Sequence, residues 1–377
     1  MAGVPDMTRK LYVTILLVFA LVLLAALPLY GSAYLVIFVS RIFMYVILAV
    51  SWTMFSGPTG NISLAAAAFF GAGVYTTAVS GPSLPLVAVA VIGGLVSFFL
   101  AFVVGALTLR LKGIYFVMFT FGLVELMLNF ILWWEVNITG TTGRVVASVS
   151  NATVFYFLLS IILILCLVDS LLRRSPYGLA LRALGTSEEA AAHLGVNVTA
   201  VKVMVFALSA FFMRAAGAVM APRWTYIDPK IAFNPNLSFV PVLMAIFGGI
   251  SKPYGPIIGA TIFTCMEEFL ITRLPYHYML IFGVIMVFSI LYLPGGLVDF
   301  VQRVRAQLLE RKHADSLRPL RKHAFRRIDG RFRRQFPPEP GRNPRTDRTQ
   351  RRREIHLVQF DIGSLDSQVR KNLIQGR

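Results

Sequence analysis

The chain has 377 residues, of which 56% are hydrophobic and only 14% charged. Soluble domains carry about 25% charged residues, so this composition excludes an ordinary globular enzyme. The net charge of +18 is unevenly placed: residues 1–301 carry 15 Lys/Arg against 10 Asp/Glu, and residues 302–377 carry 21 against 8.

The apolar residues fall in runs of about 20, the length that crosses roughly 30 Å of hydrocarbon. The fold class is therefore all-α, a polytopic integral membrane protein with about 10 transmembrane or re-entrant helices. The segments lie at about 11–30, 34–56, 61–81, 84–108, 113–134, 151–172, 201–221, 237–250, 255–273 and 278–296. The eighth is short for a span and runs into Gly248, Gly249, Pro253, Gly255 and Pro256, so it and the ninth read as a broken or re-entrant pair. Two domains follow: 1–301, the transmembrane body, and 302–377, a basic, disordered cytoplasmic tail.

Lys and Arg in the short loops set the orientation. Arg9 and Lys10 precede segment one, Arg110 and Lys112 follow segment four, Arg173, Arg174 and Arg182 follow segment six, and the tail follows segment ten. With ten crossings these clusters share one face, which places both termini in the cytoplasm. A cleaved signal peptide is the alternative for segment one, with small residues near Ser32 and Ala33. Its apolar run of roughly 19 residues exceeds the usual 7–15 of a signal core and favours retention.

Cys166 and Cys265 both lie in apolar runs, which leaves no disulfide framework or thiolate metal site. No phosphate-binding glycine loop, His-Glu-x-x-His pattern or activated nucleophile is visible. The expectation is no cofactor in this chain, with energy supplied by an ion gradient or a partner. Residues 63–73 and 215–221 are rich in Ala and Gly, and such faces let helix backbones approach closely. Ionisable residues inside spans are Arg41, Glu125, Asp169, Arg214, Glu267 and Glu268. Asp169 and Arg173 read as an i,i+4 pair at a helix end, Arg41 as snorkelling, and Glu267 and Glu268 as interfacial near Arg273. Glu125 is deeper and is either part of a polar pathway or of a buried hydrogen-bond network. An ion-coupled secondary transporter would need such a carboxylate.

The polar stretch after segment six runs Arg173-Arg174-Ser175-Pro176-Tyr177-Gly178, then through Arg182 and Ala183 to Ser187-Glu188-Glu189-Ala190-Ala191-Ala192-His193-Leu194-Gly195. Ser187 before two acids and an alanine run predicts a short helix ended by Gly195. Flanked by basic residues, it is either a lever for a partner protein or a solvated loop. His193, a single histidine in a polar loop, reads as solvated and is assigned no ligand role.

Here the sequence resembles the permeases of ABC importers, and more narrowly the branched-chain amino acid permease family of the LivM type, which includes urea permease subunits. Glu189-Ala190-Ala191 with Gly195 is similar to the Glu-Ala-Ala-x-x-x-Gly core by which importer permeases dock on their ATPase, and Ser175, Gly178 and Ala183 to its lead-in. Gly60-Asn61-Ile62-Ser63-Leu64 with Ala68-Phe69-Phe70-Gly71, Leu111-Lys112-Gly113-Ile114-Tyr115-Phe116, Thr139-Gly140 with Gly143, Gly248-Gly249 through Gly255-Pro256 and Gly259, and Pro294-Gly295-Gly296-Leu297 resemble further family motifs in order, over about residues 30–300. Glu125 falls where the family commonly has an acid. The sequence departs at Ala65 and Ala66, where Gly-His is usual, at Arg214 in a segment normally small and apolar, and at Ser251-Lys252-Pro253.

The resemblance implies a multi-pass permease in a bacterial inner membrane, importing branched-chain or other hydrophobic amino acids, with urea or a short amide as the alternative. Its implied partners are ABC ATPase subunits that use the ATP, a second, LivH-like permease and an extracytoplasmic solute-binding protein. It assigns ATPase coupling to Gly178, Arg182, Ala183, Glu188, Glu189, Ala190, Ala191 and Gly195, and a translocation pathway to Ser63, Glu125, Gly248 and Gly249. The tail, with Arg326-Arg327, Arg333-Arg334 and Arg351-Arg352-Arg353, goes beyond the family pattern. It reads as held to anionic membrane lipid or as a read-through or shifted-frame terminus. Charge without an aromatic stacking platform argues against nucleic acid.

Overall fold

A computed structural model describes residues 6–80, 85–109, 111, 113–277, 280–285, 287 and 295–303. The chain is all-α, as its apolar runs dictate. In order come α1 (Asp6–Tyr30), α2 (Ala33–Thr59), α3 (Ala66–Ser80), α4 (Leu86–Thr108), α5 (Ile114–Trp134), β1 (Arg144–Val145), α6 (Asn151–Arg174), α7 (Pro176–Thr186), α8 (Glu188–His193), α9 (Val198–Met220), β2 (Tyr226–Ile227), α10 (Pro229–Ala232), α11 (Asn236–Gly248) and α12 (Gly255–Arg273). Seven helical stretches among the described residues are long and apolar enough to cross a membrane. They correspond to expected segments two and four to nine.

Segment three departs from its expected form. Its helix begins only at Ala66, and at 15 residues and 1.5 Å per residue it reaches roughly 22 Å. Residues 60–65 are irregular backbone, which apolar surroundings tolerate only when its polar groups are met. At Ser63 and Leu64 three of these groups are met by side chains from three helices. Trp52 Nε1 donates to the Ser63 carbonyl at 2.8 Å, the Leu64 amide donates to Thr120 Oγ1 at 3.0 Å, and Ser238 Oγ donates to the Leu64 carbonyl at 2.7 Å. Segment eight is a broken helix, α10 and α11 being separated at Phe233–Pro235, and together they span 20 residues from Pro229 to Gly248.

α9 is the centre of the bundle and packs on α2, α3, α4, α6 and α7. It meets α3 backbone to backbone. A Cβ on Gly73 would lie 2.1 Å from the Arg214 carbonyl oxygen, and one on Gly217 would lie 2.1 Å from that of Phe70. Only glycine allows this approach, which confirms the close-packing reading of the small residues. α11 and α12 repeat the device, with Gly248 against Gly255 and Gly259 against Met244.

The ion pairs are partly those expected. Asp169 and Arg173 pair at 2.7 Å across one helical turn. Arg41 does more than snorkel: it pairs with Glu268, which also accepts from Tyr34 Oη at 2.5 Å, and so ties α2 to α12. Arg214 is buried and crosslinks three helices, donating to Ser97 Oγ at 2.9 Å and Thr76 Oγ1 at 2.5 Å, with no carboxylate on it among the described residues. At the other end of α5, Glu135 is fully buried and accepts from the Gly143 amide at 2.8 Å, while β1 pairs antiparallel with β2. Apart from Gln302 and Arg303, the readings made for the basic tail fall outside the described residues.

Candidate functional site

The stretch between α6 and α9 folds into two short helices, not one. Ser175 ends α6 and caps α7, its Oγ accepting from the Gly178 amide at 3.4 Å, with Pro176 at the first helical position. The corner is tight enough to require glycine: a Cβ on Gly178 would lie 2.4 Å from the Leu172 carbonyl oxygen. α7 buries Leu181 and Leu184 and packs on α2 and α9. Ser187 then breaks the chain with extended backbone (φ −161°, ψ 123°), and α8 follows as the sequence predicts. Gly195, at φ +82°, turns the chain toward α9, whose start is capped by Asn197 Oδ1 accepting from the Ala200 amide at 3.0 Å.

All eight predicted coupling residues therefore lie in one helix–turn–helix at one end of the bundle, and they divide by exposure. Gly178 and Ala191 are buried and hold the hairpin on the body. Ala183 is half-buried, and Ala190 lies in α8. Arg182, Glu189 and Gly195 are exposed, together with Tyr177, Leu179 and Leu194. The resulting surface mixes apolar side chains with both signs of charge.

Two adjacent acids separate here. Glu189 faces out, whereas Glu188 turns inward and forms an ion pair with Lys202 in the first turns of α9. Lys202 was missed in the sequence because it opens an apolar segment and reads as a membrane-edge cation. Its side chain is only 3% exposed. The 14-residue interval from Glu188 carries no periodic signal that would pair them. α7 was also missed, although Ser175-Pro176 is a helix-start signature.

The four pathway candidates are not joined by any hydrogen bond among the described residues. Ser63 is buried in the irregular stretch before α3, and Gly248 is buried in the α11–α12 seam. Gly249, at φ +106°, follows α11 and lies against Gly295 and Gly296. Glu125 is half-buried on α5, a helix whose Tyr115, Met118, Leu126, Phe130 and Trp133 are exposed, and it makes no ion pair among the described residues.

Residues 34–290 match the family model described as "Branched-chain amino acid transport system / permease component". The chain belongs to this family. It is 26% identical over 335 residues to the high-affinity branched-chain amino acid transport system permease protein LivM of Salmonella typhimurium, covering 78% of this chain and 76% of that protein. To LivM of Escherichia coli it is 25% identical over 329 residues, with the same coverage. The fructose import permease protein FrcC of Rhizobium meliloti matches at 28% over 118 residues, 30% of this chain and 33% of that one. No solved structure matches it significantly. The chain is thus a multi-pass membrane permease subunit of an ABC importer, a transport component and not an enzyme, and it works with an ABC ATPase.

Proposed function

We propose that this subunit lines the import route for branched-chain or other hydrophobic amino acids across the cytoplasmic membrane of a bacterium. The similarity to LivM over three quarters of both chains supports this substrate class, because the fructose permease shares only a third. A second, LivH-like permease would complete the route. An extracytoplasmic binding protein would deliver the solute, and the ATPase would bind and hydrolyse the ATP, so that this chain needs no cofactor of its own. Glu125 would face the route where α5 leaves its apolar side uncovered by this chain.

The observation that carries the coupling assignment is the α7–α8 hairpin. Its buried face is fixed to the bundle, and its outer face presents Tyr177, Leu179, Arg182, Glu189 and Leu194. An ATPase gripping that face can shift the permease only by binding one of its two states more tightly than the other.

The test is mass spectrometry of what co-purifies with the tagged chain in mild detergent, for wild type and Glu189→Lys. Wild type is expected to bring an ATPase and a second permease, and Glu189→Lys to insert normally but lose uptake of radiolabelled leucine. Wild-type uptake in Glu189→Lys would remove the coupling role. Recovery of the chain without an ATPase, under conditions that keep other importers whole, would count against the coupling assignment.

A further inference from the structure

Among the described residues the coupling hairpin carries an ion pair to α9, Glu188–Lys202, whose exposure pattern is unlike that of the other ion pairs. In Arg41–Glu268, Arg144–Glu135 and Asp169–Arg173 the cation stays 26–34% exposed, even where the acid is fully buried, as in Glu135. In the Glu188–Lys202 pair the cation is the hidden member, 3% exposed against 33% for the acid. An ammonium withdrawn from water this far is tolerable only while a counter-charge stays on it. Among the described residues Glu188 is the only carboxylate that does so. Whatever moves α8 must therefore either carry the head of α9 with it or strand a buried charge.

α9 is placed to pass that movement on. Lys202 is its fifth residue, and the helix runs on through the glycine seam with α3 and the Arg214 crosslink to α4. Ala191, buried in α8, is small and apolar and carries no charge or hydrogen-bonding side chain. We propose that Glu188 and Lys202 are positioning residues that transmit the displacement of the ATPase-engaged hairpin to α9, so that the pair sets how much solute moves per ATP hydrolysed. Glu189, one residue on, has the separate task of meeting the ATPase. This rests on the ABC-importer reading of the α7–α8 surface.

The experiment uses the whole complex, purified through the tagged chain and reconstituted in vesicles with its binding protein, and reads radiolabelled leucine taken up per ATP hydrolysed. Glu188→Gln leaves Lys202 without a counter-charge and is expected to lower that ratio several-fold while the ATPase still co-purifies. Lys202→Arg is expected to keep it near wild type. The reversed pair, Glu188→Lys with Lys202→Glu, is expected to recover a substantial part. Should Glu188→Gln fail to assemble, the double variant Glu188→Met with Lys202→Met removes both charges at similar volume. Such replacements are commonly neutral for folding, and this one is expected to assemble and still be poorly coupled. A wild-type ratio in an assembled Glu188→Gln or in the double-Met complex overturns the proposal while leaving the importer reading intact. Absence of any ATPase from the wild-type preparation overturns both.

Discussion

α9 and α5 are both apolar helices long enough to cross a membrane, yet the chain treats them in opposite ways. Of the most apolar 18-residue window, 83% is buried within the chain for α9 and 22% for α5. α9 earns its central place with small residues, Ala215, Ala216, Gly217 and Ala218, that let α3 come to backbone contact. α5 carries large side chains outward and is tied to its neighbours at points such as Thr120. Lipid gives apolar helices no hydrophobic reason to associate, so burial in such a bundle reports shape and polar bonding, not greasiness. The closed helix is suited to transmitting motion. The open one is suited to meeting lipid or a second subunit.

The largest effect should come from spoiling the closed helix. Gly217→Val would drive a branched side chain into the Phe70 carbonyl, 2.1 Å from where its Cβ must sit. Overpacking of this kind costs about 3 kcal/mol or more, because backbone and not a flexible side chain has to yield. The yield of monodisperse protein by detergent size-exclusion chromatography should fall at least several-fold. An unchanged yield and melting temperature would show that the α3–α9 seam is looser than described. On α5 the matching change is Glu125→Gln, which should leave melting unaltered, since the carboxylate holds no ion pair among the described residues. Leucine uptake should fall roughly tenfold, equivalent to about 1.4 kcal/mol, if the acid faces the route. Normal uptake with normal stability would place Glu125 toward lipid or a structural neighbour instead.

The same contrast marks how far the sequence could be read. Long apolar runs fix helices by length alone, so α2, α4, α5, α6 and α9 lie close to their expected positions. The α8 helix was visible in Ser187, Glu188 and Glu189 because its signals are local. The shortened α3 was not, because its irregular lead-in depends on Trp52, Thr120 and Ser238, and the last two lie 56 and 174 residues from Leu64, whose backbone they bond. Arg41 with Glu268, 227 residues apart, was hidden for the same reason. Lys202 was hidden differently: a cation at the head of an apolar run looks like a membrane-edge charge until packing shows it covered. Local chemistry was legible, and pairings set by the third dimension were not.

Arg214 sharpens the comparison at its smallest expected effect. It is the one charged residue in the apolar middle of α9, and it bonds hydroxyls on α3 and α4. Two opposed contributions meet there. The guanidinium loses hydration by burial, which disfavours it, and its hydrogen bonds across three helices return part of that loss. Arg214→Met keeps the length and removes the charge. Thr76 Oγ1 already donates to its own Ala72 carbonyl at 2.6 Å, so only Ser97 would lose its partner. One orphaned buried hydroxyl costs about 1–3 kcal/mol, against a desolvation relief of similar size. Thermal unfolding of Arg214→Met in detergent should therefore lie within about 1 kcal/mol of wild type. A much larger loss would mean that α9 is held in place by this polar crosslink as much as by its glycine seam.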